Sequence, residues 1–195
     1  MRADLDEPHI AALRDLGLAL RELELEPVIV GGIAASLIAQ PCQTRDIDAL
    51  VIFDTSRAAE LLRSLQQHGF RPRFSGMEEF AVAARLITIE HEQTGLPVDI
   101  ALGCMPFEAE LIQRSEEYAA GDVRIRLPSP EDLVVLKAIA NRPKDQEDIR
   151  RIADVYPNLD RERIKVWVDQ YGELLESPDL WDQIEPLLAG SSSGS

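Results

Sequence analysis

The sequence predicts an α+β fold, a mixed β-sheet flanked by helices and followed by a small C-terminal helical lobe. Three observations predict it. Short apolar runs at Val28–Val30, Ala49–Phe53 and Val123–Leu127 read as strands set between helical patterns. Two β-rich runs, 83–92 and 97–102, flank the turn Gln93-Thr94-Gly95 and read as a hairpin. From about residue 128 to Leu188 the pattern is helical, broken at Pro143, Pro157, Pro178 and Pro186. On this reading residues 1–127 form the core and 128–189 a lobe that completes a cleft. Residues 190–195, Gly-Ser-Ser-Ser-Gly-Ser, form a flexible tail.

Taken in order, Asp6 can cap a first helix, with Glu7 and Pro8 in its opening turn. Ile10, Leu13, Leu16, Leu18 and Leu20 make that helix mostly buried to near Leu23. Glu26-Pro27 breaks it and launches the strand Val28–Val30, which runs through Gly31-Gly32 into a short helix to about Ala39. Asp54 or Thr55 caps a helix through Gln67 whose apolar stripe is Leu61, Leu62 and Leu65, and Gly69 stops it. Residues 71–74 read as a short edge strand, and Phe107–Tyr118 as a helix. Ser129-Pro130-Glu131-Asp132 is a capping-box start for the next helix.

The net charge of −15, from 35 acidic against 20 basic residues, argues against an extended nucleic-acid track. It favours a cationic acceptor or a basic partner through steering. Cys42 and Cys104 lack metal-ligand spacing and read as two reduced, partly buried thiols. No apolar run approaches the roughly 20 residues that span a bilayer, and the first residues lack an apolar signal core. The expectation is therefore a cytoplasmic protein without membrane contact.

The chemistry-bearing stretch is Val28–Leu37 together with Thr44–Ile52. Strand alternation puts Asp46 and Asp48 on one face and Ile47 on the other. Two carboxylates on one face repel unless a cation sits between them. Glycines between a strand and a helix let backbone N–H groups approach a phosphate. In the second hairpin arm Val98, Ile100 and Leu102 share a face, leaving Asp99 on the other with Ala101. A lone acidic residue in such a run usually faces solvent, but with the upstream pair Asp99 is expected to face it. Lys137 lies mid-helix among Leu133, Val134, Leu136 and Ile139, and periodicity leaves it open between snorkelling and facing a cleft. Asp145 and Asp148, three apart, share a helix face and either orient Lys137 or Arg142 or lie on a solvated surface. His9, His68 and His91 fall in no base-nucleophile or metal-ligand spacing, and His91 is expected to be exposed. Trp167 and Trp181 are expected in the core of the lobe.

Gly31-Gly32 before a short helix, Asp46-x-Asp48 opening a strand, and Asp99 on a later strand together resemble the DNA polymerase β-type nucleotidyltransferase superfamily. Ser129–Lys137 followed by Arg142–Asp148 resembles its small AbiEii-like toxin or antibiotic-modifying branch. The resemblance spans about Val28 to Asp148. One position departs: relatives often carry Arg two residues before the Thr of the aspartate motif, where this chain has Cys42. The resemblance implies a nucleotidyltransferase fold and transfer of a nucleoside monophosphate from an NTP to a hydroxyl. It implies Mg²⁺ (or Mn²⁺) at Asp46, Asp48 and Asp99, with Asp99 also accepting the hydroxyl's proton. Gly31, Gly32, Ser36, Lys137 and Asp145 are the expected nucleotide-binding residues. The acceptor is open between a small molecule such as an aminoglycoside, a tRNA end and a protein hydroxyl. The last two would suit the toxin of a toxin–antitoxin pair, with an antitoxin protein as partner. A basic strip at Arg142, Lys144, Arg150 and Arg151 keeps tRNA in view. The alternative is a non-catalytic nucleotide-binding or protein-interaction module that keeps the fold.

Overall fold

The computed structural model describes residues 5–39 and 44–189, so Cys42 and the tail at 190–195 lie outside the described residues. Asp6 begins the first helix, its side chain accepting from the His9 N–H at 3.1 Å. The chain then runs α1 (Glu7–Arg21), β1 (Val28–Val30), α2 (Gly31–Ile38), β2 (Ile47–Ile52) and α3 (Ala58–Gln67). It continues through β3 (Phe70–Pro72), α4 (Met77–Ala84), β4 (Leu86–His91), β5 (Pro97–Gly103), α5 (Pro106–Arg114), β6 (Glu116–Ala120) and β7 (Val123–Leu127). Helices α6 (Pro130–Ala140), α7 (Pro143–Val155), α8 (Arg161–Leu174) and α9 (Leu180–Ile184) follow, and a 3₁₀ turn closes the described chain. Ser129 caps α6, its hydroxyl accepting from the Asp132 N–H at 3.1 Å.

The seven strands form one mixed sheet in the order β3-β4-β5-β2-β1-β7-β6. β2 runs parallel to β5 and β1 parallel to β7, while the other neighbours are antiparallel. Alternation divides the faces. Ile87, Ile89, Val98, Ile100, Leu102 and Ile47 point into the core with Leu16, Leu20, Leu61 and Leu65. Leu86, Thr88, Asp99, Ala101 and Asp48 lie between them on the other face and are only partly buried. The Ser64 hydroxyl donates to the Ala19 carbonyl at 2.8 Å and ties α3 to α1 across the core layer. Among the described residues no helix is long and apolar enough to cross a membrane.

Four expectations need correction. Ala83 does not begin a strand, because Met77–Ala84 is helical, with Met77 and Ala81 buried four residues apart after the left-handed Gly76. Tyr118 does not end a helix. Ser115 turns the chain extended, and Glu116–Ala120 pairs with β7, so tertiary pairing overrides a helix-favouring composition. His91 is buried rather than exposed, at 1% accessibility. The hairpin folds back on α1, setting His91 Nε2 3.0 Å from Asp15 and Nδ1 2.8 Å from the Thr94 hydroxyl. Cys104 is exposed, at the sheet rim where β5 has just ended. Trp181 is buried and Trp167 packs against the core, as expected.

Candidate active site

The diglycine bend and the aspartates meet at the ends of β1, β2 and β5. Val30 pairs with Asp48, and Asp48 sits abreast of Asp99 in the parallel β2–β5 ladder. Gly31 opens α2 with φ +64, and a Cβ there would fall 1.8 Å from Asp48 Oδ2. The Asp48 carboxylate thus lies directly on the bend, and only glycine leaves room for it. At Gly32 a Cβ would meet the Thr44 hydroxyl at 2.7 Å. That hydroxyl donates to Asp46 Oδ1 at 3.0 Å and to the Asp46 carbonyl at 3.1 Å. Thr44 therefore links the bend to the first aspartate, just before β2 begins.

These residues open onto a cleft of 190 Å³ lined by Gly31, Asp48, Leu86, Asp99, Lys137 and Arg142. A larger cavity of 290 Å³ lies across the sheet beneath α1, where Ile29 faces it, while Val30 faces the cleft. The paired carboxylates belong to the smaller one. Burial raises the Asp48 pKa, and Asp46 and Asp99 add to the rise against the opposing charges of Lys137 and Arg142. Burial also raises Asp99, with Arg73 opposing and Asp46 reinforcing the shift. Asp99 Oδ1 is buried without a hydrogen-bond partner among the described residues.

The opposite wall comes from α6 and the start of α7. Lys137 is 4% exposed, and its Nζ donates to Asp148 at 2.7 Å and to Asp145 at 3.2 Å. Asp145 also accepts from Arg142 Nε at 2.5 Å. Burial works to raise the Asp145 pKa, but the bonds from Arg142 and Lys137 outweigh it and hold the carboxyl below its ordinary range. The two carboxylates thus do orient both Lys137 and Arg142. The expected residues Gly31, Asp48, Asp99, Lys137 and Asp145 all line the cleft. Gly32 sits beside it against Thr44, with Lys144 Nζ 3.8 Å from where its Cβ would be. Ser36, further along α2, is buried and does not line the cleft, and neither does Asp46, although its charge is felt at Asp48 and Asp99. Among the described residues no three His, Cys, Asp or Glu side chains gather closely enough to hold a metal by themselves. Arg142, Leu86 and Thr44 were not in the expected site; only the spacing of Thr44 and Arg142 from the aspartates could have pointed to them.

A family model described as a nucleotidyltransferase of unknown function (DUF6036) matches residues 11–179. The chain belongs to this family. The nucleotidyltransferase fold recurs in solved structures at low identity. The antibiotic-resistance factor ANT(2'')-Ia is 17% identical, with a TM-score of 0.56, over 91% of this chain and 99% of that one. The lincosamide antibiotic adenylyltransferase LnuA is 16% identical, with a TM-score of 0.51, over 77% and 98%. An antigenic nucleotidyltransferase-like protein from Paracoccidioides brasiliensis is 16% identical, with a TM-score of 0.53, over 94% and 95%. No curated protein matches the sequence significantly.

Proposed function

We propose that this nucleotidyltransferase moves a nucleoside monophosphate from a nucleoside triphosphate to an acceptor hydroxyl, with Mg²⁺ (or Mn²⁺) held by Asp46, Asp48 and Asp99. The observation that carries this is the abreast pairing of Asp48 and Asp99 beside a bend that has no room for a side chain. The residues fit a magnesium ion. All the donors are hard carboxylate oxygens, Asp99 keeps an oxygen without a partner, and burial disfavours the charge on both Asp48 and Asp99. Magnesium usually takes one or two carboxylates and completes its shell from phosphate and water, so the three aspartates need not all bind it at once. Bound there, a divalent ion would neutralise charge on the phosphates and on the departing pyrophosphate.

The chain's own groups divide the remaining work. Backbone N–H groups at the Gly31-Gly32 bend and the positive end of α2 receive the β and γ phosphates, with Arg142 and Lys144 supplying charge beside them. Lys137 is locked by its two aspartates and presents a fixed cation from the α6 wall. The acceptor oxygen forms a bond to the α-phosphorus as the α–β anhydride bond breaks. Pyrophosphate leaves with that bond's electrons, and the hydroxyl proton passes to Asp99, whose Oδ1 has no hydrogen-bond partner among the described residues. Residues 1–127 act as the core and 128–189 as the lobe whose Leu136, Lys137 and Ala140 close the cleft.

Thermal melting with MgATP, MgGTP, MgCTP and MgUTP, for the parent and Asp48→Ala, tests this reading. The expected result is metal-dependent stabilisation by at least one nucleotide, lost in the variant. Equal melting under every condition would refute the enzyme and leave a binding module. Labelled nucleotides with a panel of aminoglycosides and total tRNA then expose the acceptor.

A further inference from the structure

The row of the sheet that carries the aspartates continues past them. Val30, Asp48, Asp99 and Thr88 stand abreast on β1, β2, β5 and β4. One residue beyond β3, the Arg73 N–H donates to the Thr88 carbonyl at 3.2 Å, which makes Arg73 the next member of the row. Residues abreast in a sheet share a face, and the alternation agrees: Phe70 is buried while Arg71 and Arg73 are exposed. Two strand spacings put the Arg73 backbone roughly 10 Å from that of Asp99, so an extended arginine side chain can bring its guanidinium up to whatever lies against the aspartate carboxyl without reaching the aspartate backbone. Its charge is felt at the Asp99 carboxyl.

Three neighbouring arginines are already committed. Arg71 pairs with Glu90, the next carboxylate along this face. Arg85 donates to the carbonyls of Leu102, Phe53 and Gly103. Arg142 is held by Asp145. The Arg73 side chain makes no hydrogen bond or ion pair with a described residue. The phosphate-receiving bend lies at the other end of the row, so Arg73 stands on the far side of the proton-accepting Asp99.

We propose that Arg73 binds the acceptor, and that the acceptor carries a phosphate near its reacting hydroxyl. The proposal rests on the transferase reading above, which puts the acceptor hydroxyl beside Asp99. A guanidinium meets phosphate oxygens with two parallel N–H donors, a geometry that a polycationic acceptor cannot use. The charge of −15 does not decide the matter. Spread over the surface, it is screened beyond about 8–10 Å at physiological salt, whereas Arg73 acts at contact.

The test first loads the donor site with Mg²⁺ and a non-transferable α,β-methylene nucleoside triphosphate, its base chosen by thermal shift. Calorimetry then titrates the loaded protein with 5′-AMP, adenosine and tobramycin, for the parent, Arg73→Ala, Arg73→Lys and Arg71→Ala. Binding of 5′-AMP in preference to adenosine is expected in the parent. It should fall about tenfold or more in Arg73→Ala, recover partly in Arg73→Lys and stay unchanged in Arg71→Ala. Absent 5′-AMP binding, equal binding in the parent and Arg73→Ala, or tighter binding of tobramycin than of 5′-AMP overturns the proposal. A protein that takes up none of the methylene analogues fails at the loading step, which refutes the transferase reading itself and this proposal with it.

Discussion

Gly31→Ala puts the site geometry at risk while leaving most of the fold untouched. The new Cβ would lie 1.8 Å from Asp48 Oδ2, 2.6 Å from Cγ and 2.8 Å from Cβ. Ordinary contact begins near 3.4 Å, so the carboxylate oxygen must retreat by about 1.6 Å, and the β2 backbone must give as well. The left-handed φ of +64 adds about 1–2 kcal/mol for a residue with a Cβ. The crowding costs about 1–3 kcal/mol more, and the total in a chain of this size is about 4–20 °C of melting temperature, so the variant should remain folded at room temperature. Catalytic constellations tolerate errors of only about 0.5 Å, and a displacement near 1 Å costs about 100-fold. A lost charge-assisted bond from the bend to a phosphate is worth about 1.5–3 kcal/mol, so calorimetric titration with the stabilising Mg-nucleotide should show affinity falling about 10- to 150-fold, beside a loss in melting temperature. Gly32→Ala makes a useful comparison. Its Cβ meets Thr44 less severely, Oγ1 at 2.7 Å and Cβ at 3.0 Å, and its backbone is not left-handed, so binding should fall less. A Gly31→Ala protein that melts within the stated window and binds the nucleotide as the parent does would refute the placement of the phosphates at this bend.

The buried pairs give two further expectations. Lys137→Met leaves Asp148 without its 2.7 Å partner in the interior and should cost about 3–5 kcal/mol in urea unfolding, partly recovered by adding Asp148→Leu; a loss below about 1 kcal/mol would show the pair to be better solvated than its burial implies. Asp145 has its folded pKa below the ordinary 3.8, so its contribution to stability is fully present above that value and is lost as pH falls through the lower folded one. The melting deficit of Asp145→Asn relative to the parent should accordingly narrow between about pH 5 and about pH 2, and a deficit constant over that range would count against the Arg142–Asp145–Lys137 network.

Much of the sheet could be read in advance because its strands obey simple alternation. Val98, Ile100 and Leu102 are buried with Asp99 between them, so the side-chain period of two kept Asp99 off the core face, and the upstream aspartate pair gave the expectation that it faces them. The errors came where local chemistry and tertiary pairing disagree. Glu116–Ala120 has residues that suit a helix, and its strand state depends on a partner that only the folded sheet provides. His91 looked like a hairpin residue in water because nothing local announces that α1 lies over it. Its Asp15 partner is far away in sequence.

The site was legible to the degree that its parts are set by backbone register. Asp48, Asp99 and the bend follow from strand direction and from glycine's freedom, both of which leave a mark in the sequence. The α6 wall does not. Lys137 reads equally well as a surface lysine, and its burial becomes tolerable only because α7 returns Asp145 and Asp148 to it. That arrangement bears on how the cleft works. Asp145 bonds to both Lys137 and Arg142, so neither cation can swing freely toward an incoming phosphate. The cost of ordering two long side chains is met on folding rather than on binding, which is where a preorganised site gains its advantage. The same logic marks Arg73 as different. It is exposed and its side chain makes no hydrogen bond or ion pair with a described residue, as the proposal requires of a group that meets a variable acceptor after the donor is already held.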